Sequence, residues 1–316
     1  MAPLTWLSEQ SASAVGAAVR RVAPSLAELP ITLQLKQDEV DPYWFSGSAR
    51  IGDTHMAKFA WSEVAARRTR REGRVLQALH ALAPDLPLPE VVASSADPVL
   101  IVTRIVPGRP LTPAGIAAHS DAGVDSIATD LARFLAALHD PSLLDAVQRV
   151  VPLKTPDGQA DTDSLRAGLG RWVAARQRET VLRWCDWTDA VFARTPPRNV
   201  LVHGDFHGHN QIWDLTVPAL RAVLDYDITG PGDAEFDLRC LPSDVPDFDV
   251  VLRVIGCYER ESGRALDLER VMAWHLRTAL GDVLWRSEAH IPLPGGGTPV
   301  SWVDDLAARM TRAGLE

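Results

Sequence analysis

The sequence predicts an α+β fold of two lobes, a small antiparallel-sheet lobe over residues 1–105 followed by a larger, mostly helical lobe over 106–316. Two patterns carry this. Short runs of alternating apolar and polar residues crowd the first third, whereas long stretches with apolar residues at helical spacing dominate the rest. Between them "VPGRPLTP" breaks both patterns with three prolines and a glycine.

In the first lobe "ITLQLKQ" alternates from Ile31, and "WFSGSARI" and "THMAKFAW" flank Gly52 and Asp53, a hairpin signal. Ser62 is placed to cap the helix "EVAARRTRREGRVLQALHAL", which ends near Pro84. Its arginine-rich stretch "RRTRREGR" reads as a solvated face. "LPLPEVVAS" and "PVLIVTRIV" complete the sheet. In the second lobe "GVDSIATDLARFLAALHD" is helical, and the polar residues Asp161 to Ser164 read as a loop before further helix. Strands "RNVLVHG", "NQIWD" and "LRAVLDY" surround a histidine-rich turn. Phe248 to Leu315 reads as three helices, interrupted by "IPLPGGGTP".

Length and composition narrow the field. The chain has 316 residues, 46% of them hydrophobic, enough for a sizeable core. A formal charge of −9 argues against non-specific nucleic-acid binding, which needs a basic surface. Cys185, Cys240 and Cys257 have no CxxC spacing and read as buried free thiols. No secretory signal or membrane-length apolar run is apparent, so a soluble cytoplasmic protein is expected.

The chemistry centres on "VLVHGDFHGHNQIWD". His203, Asp205 and Asn210 fit H-x-D-x-x-x-x-N, the spacing of a kinase catalytic loop. There the aspartate faces the acceptor hydroxyl and the amide oxygen meets Mg2+ on the phosphates. A carboxylate should complete the metal site, and Asp225 stands at the end of "RAVLDYD". Asp227, two positions on, is expected on the same face of an extended strand, near the metal's water shell or the substrate. Lys58, mid-strand in "HMAKFAW", is costly to bury unless paired, and Glu72 is its natural partner. An edge-strand lysine that discourages aggregation is the alternative. Glu63 falls in the helix's first turn, where it serves the dipole instead.

Together "HGDFHGHN" and "VLDYDITGPGDAEFDLR" resemble the aminoglycoside phosphotransferase-like enzymes, small-molecule kinases with a protein-kinase-like fold. The resemblance implies a nucleotide-binding first lobe and a catalytic, acceptor-binding second lobe. It implies Asp205 as the catalytic aspartate, Asn210 and Asp225 as Mg2+ ligands, and Lys58 on the phosphates of ATP or GTP with Glu72 as its partner. Backbone around Thr103, Ile105 and Val106 would bind the base, while His203 and Asp237 brace the loop. Its acceptors are small hydroxylated molecules, an aminoglycoside or related antibiotic first, with sugars, amino alcohols and macrolides as alternatives. One departure is the loop "KQDEVDPYWFSGS", which lacks a glycine before Gly47, so backbone amides approach phosphates less freely there.

Other residues carry two readings each. His207 and His209 invite a transition-metal site, against local hydrogen bonding or a substrate-side role. Asp233 and Glu235 suit a cationic acceptor, and Asp233 equally suits a helix cap. Glu288 in "LWRSEAH" is a further acidic contact for the acceptor. Among ten tryptophans, Trp274, Trp285 and Trp302 either wall an acceptor pocket or pack the core. Two other functions compete: a metal-dependent phosphoesterase, suggested by "GDFHG", and a non-catalytic nucleotide-binding protein.

Overall fold

From Gly47 to Arg104 strand and helix follow the patterning closely. The computed structural model describes residues 4–34, 46–156, 160–194 and 196–315; of the loop "KQDEVDPYWFSGS" residues 36–45 lie outside them. In chain order the elements are α1 (Ala12–Val22), β1 (Ile31–Gln34), β2 (Gly47–Ile51), β3 (His55–Phe59), α2 (Glu63–Leu82), β4 (Val91–Ala96), β5 (Val99–Arg104), β6 (Arg109–Pro110), α3 (Pro113–Ala117), α4 (Asp121–Leu138) and α5 (Pro141–Gln148). There follow α6 (Thr162–Gly168), α7 (Ala175–Arg194), β7 (Asn199–Val202), β8 (Gln211–Asp214), β9 (Ala219–Val223), β10 (Gly230–Asp233), α8 (Leu241–Asp244), α9 (Phe248–Ser262), α10 (Leu268–Glu288) and α11 (Pro299–Arg312).

The chain divides into two units. The first comprises Met1–Pro110, Ser142–Lys154 and Asn210–Thr229; the second comprises Leu111–Pro141, Thr155–His209 and Gly230–Glu316. In the first, five antiparallel strands run in the order β1-β2-β3-β5-β4. Gly52 takes a φ of +54° in the tight β2–β3 turn, a conformation that suits glycine. Alternation puts Ala57 and Phe59 of β3 into a core with Ala49 and Ile51 of β2 and with Val15, Ala18 and Val19 of α1. Helix α1 was not anticipated, although its signals are local: Ser11 accepts from the Ala14 amide, and Val15, Ala18, Val19 and Val22 fall at helical spacing. Ser62 caps α2 as expected, accepting from the Ala65 amide at 3.2 Å. A second, three-stranded sheet orders β6-β8-β9.

The second unit is mostly helical. Helix α4 packs on α9, and α10 on α7 and α11. β7 and β10 form an antiparallel pair, with Val202 opposite Gly230 and Asn199 opposite Asp233. The polar run from Asp161 is not a loop. Asp161 caps α6 by accepting from the Ser164 amide at 2.7 Å, so Thr162 to Ser164 are already helix. Cys185 and Cys257 are buried and Cys240 is partly so, all as free thiols. Among the described residues no helix is long and apolar enough to cross a membrane.

Candidate functional site

β3 is the middle strand of its sheet, which removes the edge-lysine reading of Lys58. Its Nζ lies 2.6 Å from Glu72 Oε2 on α2 and 2.6 Å from Asp225 Oδ1 just beyond β9. Burial by itself would strip the proton from this ammonium. Glu72, Asp225 and Asp227 together outweigh burial and hold Lys58 above its ordinary pKa. Burial raises Glu72 to about 7, with Asp225 and Asp227 adding to the effect and Lys58 opposing it. Glu63 is exposed and pairs with Arg67 within the first turn of α2, away from Lys58.

Asn210 and Asp225 share one end of the β8–β9 hairpin. Gln211 faces Val223 across it, and the Leu224 amide donates to the Asn210 carbonyl at 2.8 Å. An amide oxygen and a carboxylate are hard donors of the kind Mg2+ takes, usually one or two from protein with the rest from phosphate and water. This donor set therefore fits the expected ion. Asp225 has a φ of +70°, rare outside glycine though tolerated by aspartate.

That backbone turn corrects one expectation. β9 ends at Val223, so Asp225 and Asp227 are not alternate residues of one extended strand. Asp227 is buried and pairs with Arg68 at 2.8 Å. The arginine-rich face of α2 is accordingly not simply solvated: Arg71 donates to the carbonyls of Thr229 and Lys154, and Arg74 to that of Val150. Of the expected base-binding residues, Thr103 lies in β5 opposite Met56. The Ile105 amide donates to the Thr54 carbonyl at 2.8 Å, closing the sheet, so that N–H is already used. Val106 follows, half-buried.

In the second unit Asp237 organises the loop after β7. Its carboxylate accepts from two successive amides, His203 at 2.7 Å and Gly204 at 2.8 Å. The buried His139 ring bridges Asp237 and the Tyr258 hydroxyl, at 3.1 and 3.2 Å. Burial would raise the Asp237 pKa, but His139, His203 and the Gly204 amide overcome it and lower it. The Asp205 amide donates to His203 Nδ1 at 3.2 Å. Arg239, only 3% exposed, donates to the Gly204 carbonyl at 2.6 Å and lies 3.9 Å from Asp205 Oδ1. The other carboxylate oxygen, Oδ2, is 3.4 Å from His207 Nε2. Burial again works to raise the pKa, but His207, Arg239 and His203 bring Asp205 down to about 2, so it is ionised throughout the neutral range.

His207 Nδ1 accepts the His209 backbone amide at 3.2 Å, a local hydrogen bond of the His207 ring. Among the described residues no group of three His, Cys, Asp or Glu side chains gathers to hold a metal. The ligand clusters of a two-metal phosphoesterase are thus not found there. His139, Arg239 and Asp244, whose Oδ2 accepts from the Gly208 amide at 2.8 Å, are loop supports that the sequence reading passed over.

The acidic residues expected to meet an acceptor are engaged elsewhere. Asp233 is 4% exposed, pairs with Arg270 and accepts from Trp274 Nε1 at 2.9 Å; it makes no capping bond either. Glu235, 3% exposed, pairs with Arg198 at 3.1 Å and accepts from the Asp267 amide. Burial, reinforced by Asp233, raises Glu235 to about 7. Both are internal ion pairs because burial of either carboxylate alone would be prohibitive. Glu288 is half-exposed and pairs with Arg171 at 2.7 Å. Trp274 packs on Phe192 and Phe236, with ring centroids 4.6 and 4.9 Å away, whereas Trp285 is 49% exposed.

The model of the phosphotransferase enzyme family (APH) matches residues 39–275. No curated protein matches by sequence. Among solved structures, the GDP and kanamycin complex of APH(2'')-IIIa is similar with a TM-score of 0.70 and 14% identity, over 95% of this chain and 98% of that one. The streptomycin–ATP complex of APH(2'')-IIa is similar with a TM-score of 0.62 and 16% identity, over 98% and 100%. A macrolide 2'-phosphotransferase from Brachybacterium faecium has a TM-score of 0.57 and 20% identity, over 94% and 97%. At these identities the likeness is one of fold.

Proposed function

Because the chain belongs to the phosphotransferase enzyme family, matched over residues 39–275, we propose that it uses Mg2+ to move the γ-phosphoryl group of ATP or GTP onto a hydroxyl of a small molecule, an aminoglycoside or related antibiotic first. It is an enzyme, a small-molecule phosphotransferase. The observation that carries the finer reading is Lys58 held between Glu72 and Asp225, with Asn210 at the same end of the hairpin as Asp225.

Asn210 and Asp225 would hold Mg2+, which neutralises phosphate charge when bound. Lys58, steadied by Glu72, would lie on the nucleotide phosphates and absorb the charge that develops there. Asp205 would accept a hydrogen bond from the acceptor hydroxyl and aim its oxygen at the γ-phosphorus. As the O–P bond forms, the bond from the γ-phosphorus to the β-phosphate oxygen breaks. An aspartate with a pKa of about 2 is a weak base, so it takes the proton late, once bonding to phosphorus has made the hydroxyl acidic. Residues 1–105 would serve the nucleotide and 106–316 the catalysis and the acceptor, in the cytoplasm, without nucleic-acid or membrane partners.

Likeness to one complex holding GDP and another holding ATP supports a nucleotide co-substrate. Likeness to kanamycin and streptomycin complexes supports an aminoglycoside acceptor. A macrolide is the second reading, favoured by the commitment of Asp233 and Glu235 to internal arginines. The test is a panel of aminoglycosides, macrolides, sugars and amino alcohols, each with ATP and with GTP, scored by nucleoside diphosphate release and a phosphorylated product. Nucleotide binding without turnover on any acceptor, or release of free phosphate from a monoester, would overturn the proposal.

A further inference from the structure

Helix α2 presents Arg68, Arg71 and Glu72 at spacings of three and four, on one face. All three engage the segment that follows β9. Glu72 reaches Asp225 through the shared Lys58 ammonium. Arg68 pairs with Asp227 at 2.8 Å, with side chains only 34% and 10% exposed. Arg71 donates to the Thr229 carbonyl and, at 3.0 Å, to that of Lys154. Asp225, Asp227 and Thr229 are thus tied to the helix in turn, across a chain that adopts a φ of +70° at Asp225. A non-glycine residue keeps such a backbone only where its surroundings over-determine it.

We propose that Arg68 is a positioning residue for the metal-binding carboxylate: by pairing with Asp227 it locks the segment after β9 onto α2, so that Asp225 faces a nucleotide-bound Mg2+. This rests on the phosphotransferase reading above. It also gives Asp227 a role other than metal or acceptor ligand, because its charge is matched inside the fold. Removing Arg68 takes the paired guanidinium away from a nearly buried carboxylate, two residues from Asp225. The segment then turns to rehydrate it, and Asp225 turns with it.

The test is the thermal shift produced by ATP, and separately by GTP, titrated with Mg2+ and repeated in EDTA. Arg68→Met is expected to need on the order of tenfold more Mg2+ to reach half of the wild-type shift, with the shift in EDTA unchanged. Arg68→Lys, which keeps the charge, recovers most of the loss. If Arg68→Met does not fold, Asp227→Asn, which keeps the side-chain shape, makes the same measurement. An unchanged Mg2+ requirement overturns the proposal. So does a loss of equal size in EDTA, which marks general loosening of α2, and so does tighter Mg2+ binding, which marks Asp227 as a ligand. Wild-type protein with no Mg2+-dependent shift from either nucleotide overturns the phosphotransferase reading together with this one; a wild-type shift that the variant shares overturns this one alone.

Discussion

Lys58 Nζ and Asp225 Oδ1 lie 2.6 Å apart, a contact between residues separated by 167 positions in the chain. The same ammonium meets Glu72, so one cation serves two carboxylates, one of them deeply buried. Replacing it leaves both without their charge partner. Lys58→Met is expected to destabilise the protein by about 3 kcal/mol, the usual scale for breaking a buried pair from one side. Lys58→Met combined with Glu72→Gln should recover a large part of that. Urea unfolding of wild type, single and double variants measures it, and equal stability of the single and double variants would contradict the pairing.

Asp205 owes its position to the groups around it: its amide donates to His203 Nδ1, and its carboxylate lies beside His207 and Arg239. Asp205→Ala is expected to fold, at some cost in melting temperature because the ionised carboxylate is held by His207 and Arg239, while losing on the order of 10²-fold or more in turnover, the scale for a positioned acid–base group. Near-full activity on a phosphorylated acceptor would remove Asp205 from the mechanism.

Asp225 combines an unusual backbone with the metal-ligand role proposed for it. Asparagine tolerates a positive φ as aspartate does, whereas alanine does not. Asp225→Asn should therefore abolish the Mg2+-dependent nucleotide shift with little backbone penalty. Asp225→Ala should abolish it and lose roughly 1 kcal/mol more in unfolding free energy. An intact Mg2+-dependent shift in either variant would exclude Asp225 as a ligand.

His275 carries a pH dependence of definite sign. It is buried on α10, with Nδ1 2.7 Å from the Arg239 carbonyl and Nε2 3.3 Å from Arg309. Burial, then the Arg309 charge, lower its pKa from 6.5 to about 4. The folded state therefore binds fewer protons than the unfolded one between those values. The stabilisation is fully present above pH 6.5 and is lost as pH falls toward 4, by an amount on the order of 3 kcal/mol at about 1.4 kcal/mol per pKa unit. Unfolding curves of wild type and His275→Gln across that window should converge toward acid pH; parallel curves would rule out this histidine.

Much of the fold could be read locally, and so could the heart of the site. Strand alternation, the Ser62 cap, the β2–β3 turn and the H-x-D-x-x-x-x-N spacing are each written within about ten consecutive residues, where backbone preference and side-chain periodicity act directly. The same kind of local signal exposes α1 once Ser11 is recognised as its cap. Partnership of charges is a different matter. Nothing adjacent to Arg68 or Arg239 distinguishes it from a solvated arginine, and nothing near Asp233 or Glu235 reveals Arg270 or Arg198. Local chemistry alone determined the strands, most of the helices and the candidate catalytic motif; which carboxylates stay available to a ligand was decided only when the chain folded, because an ion pair depends on distance in space and on lost hydration, and neither exists along the sequence.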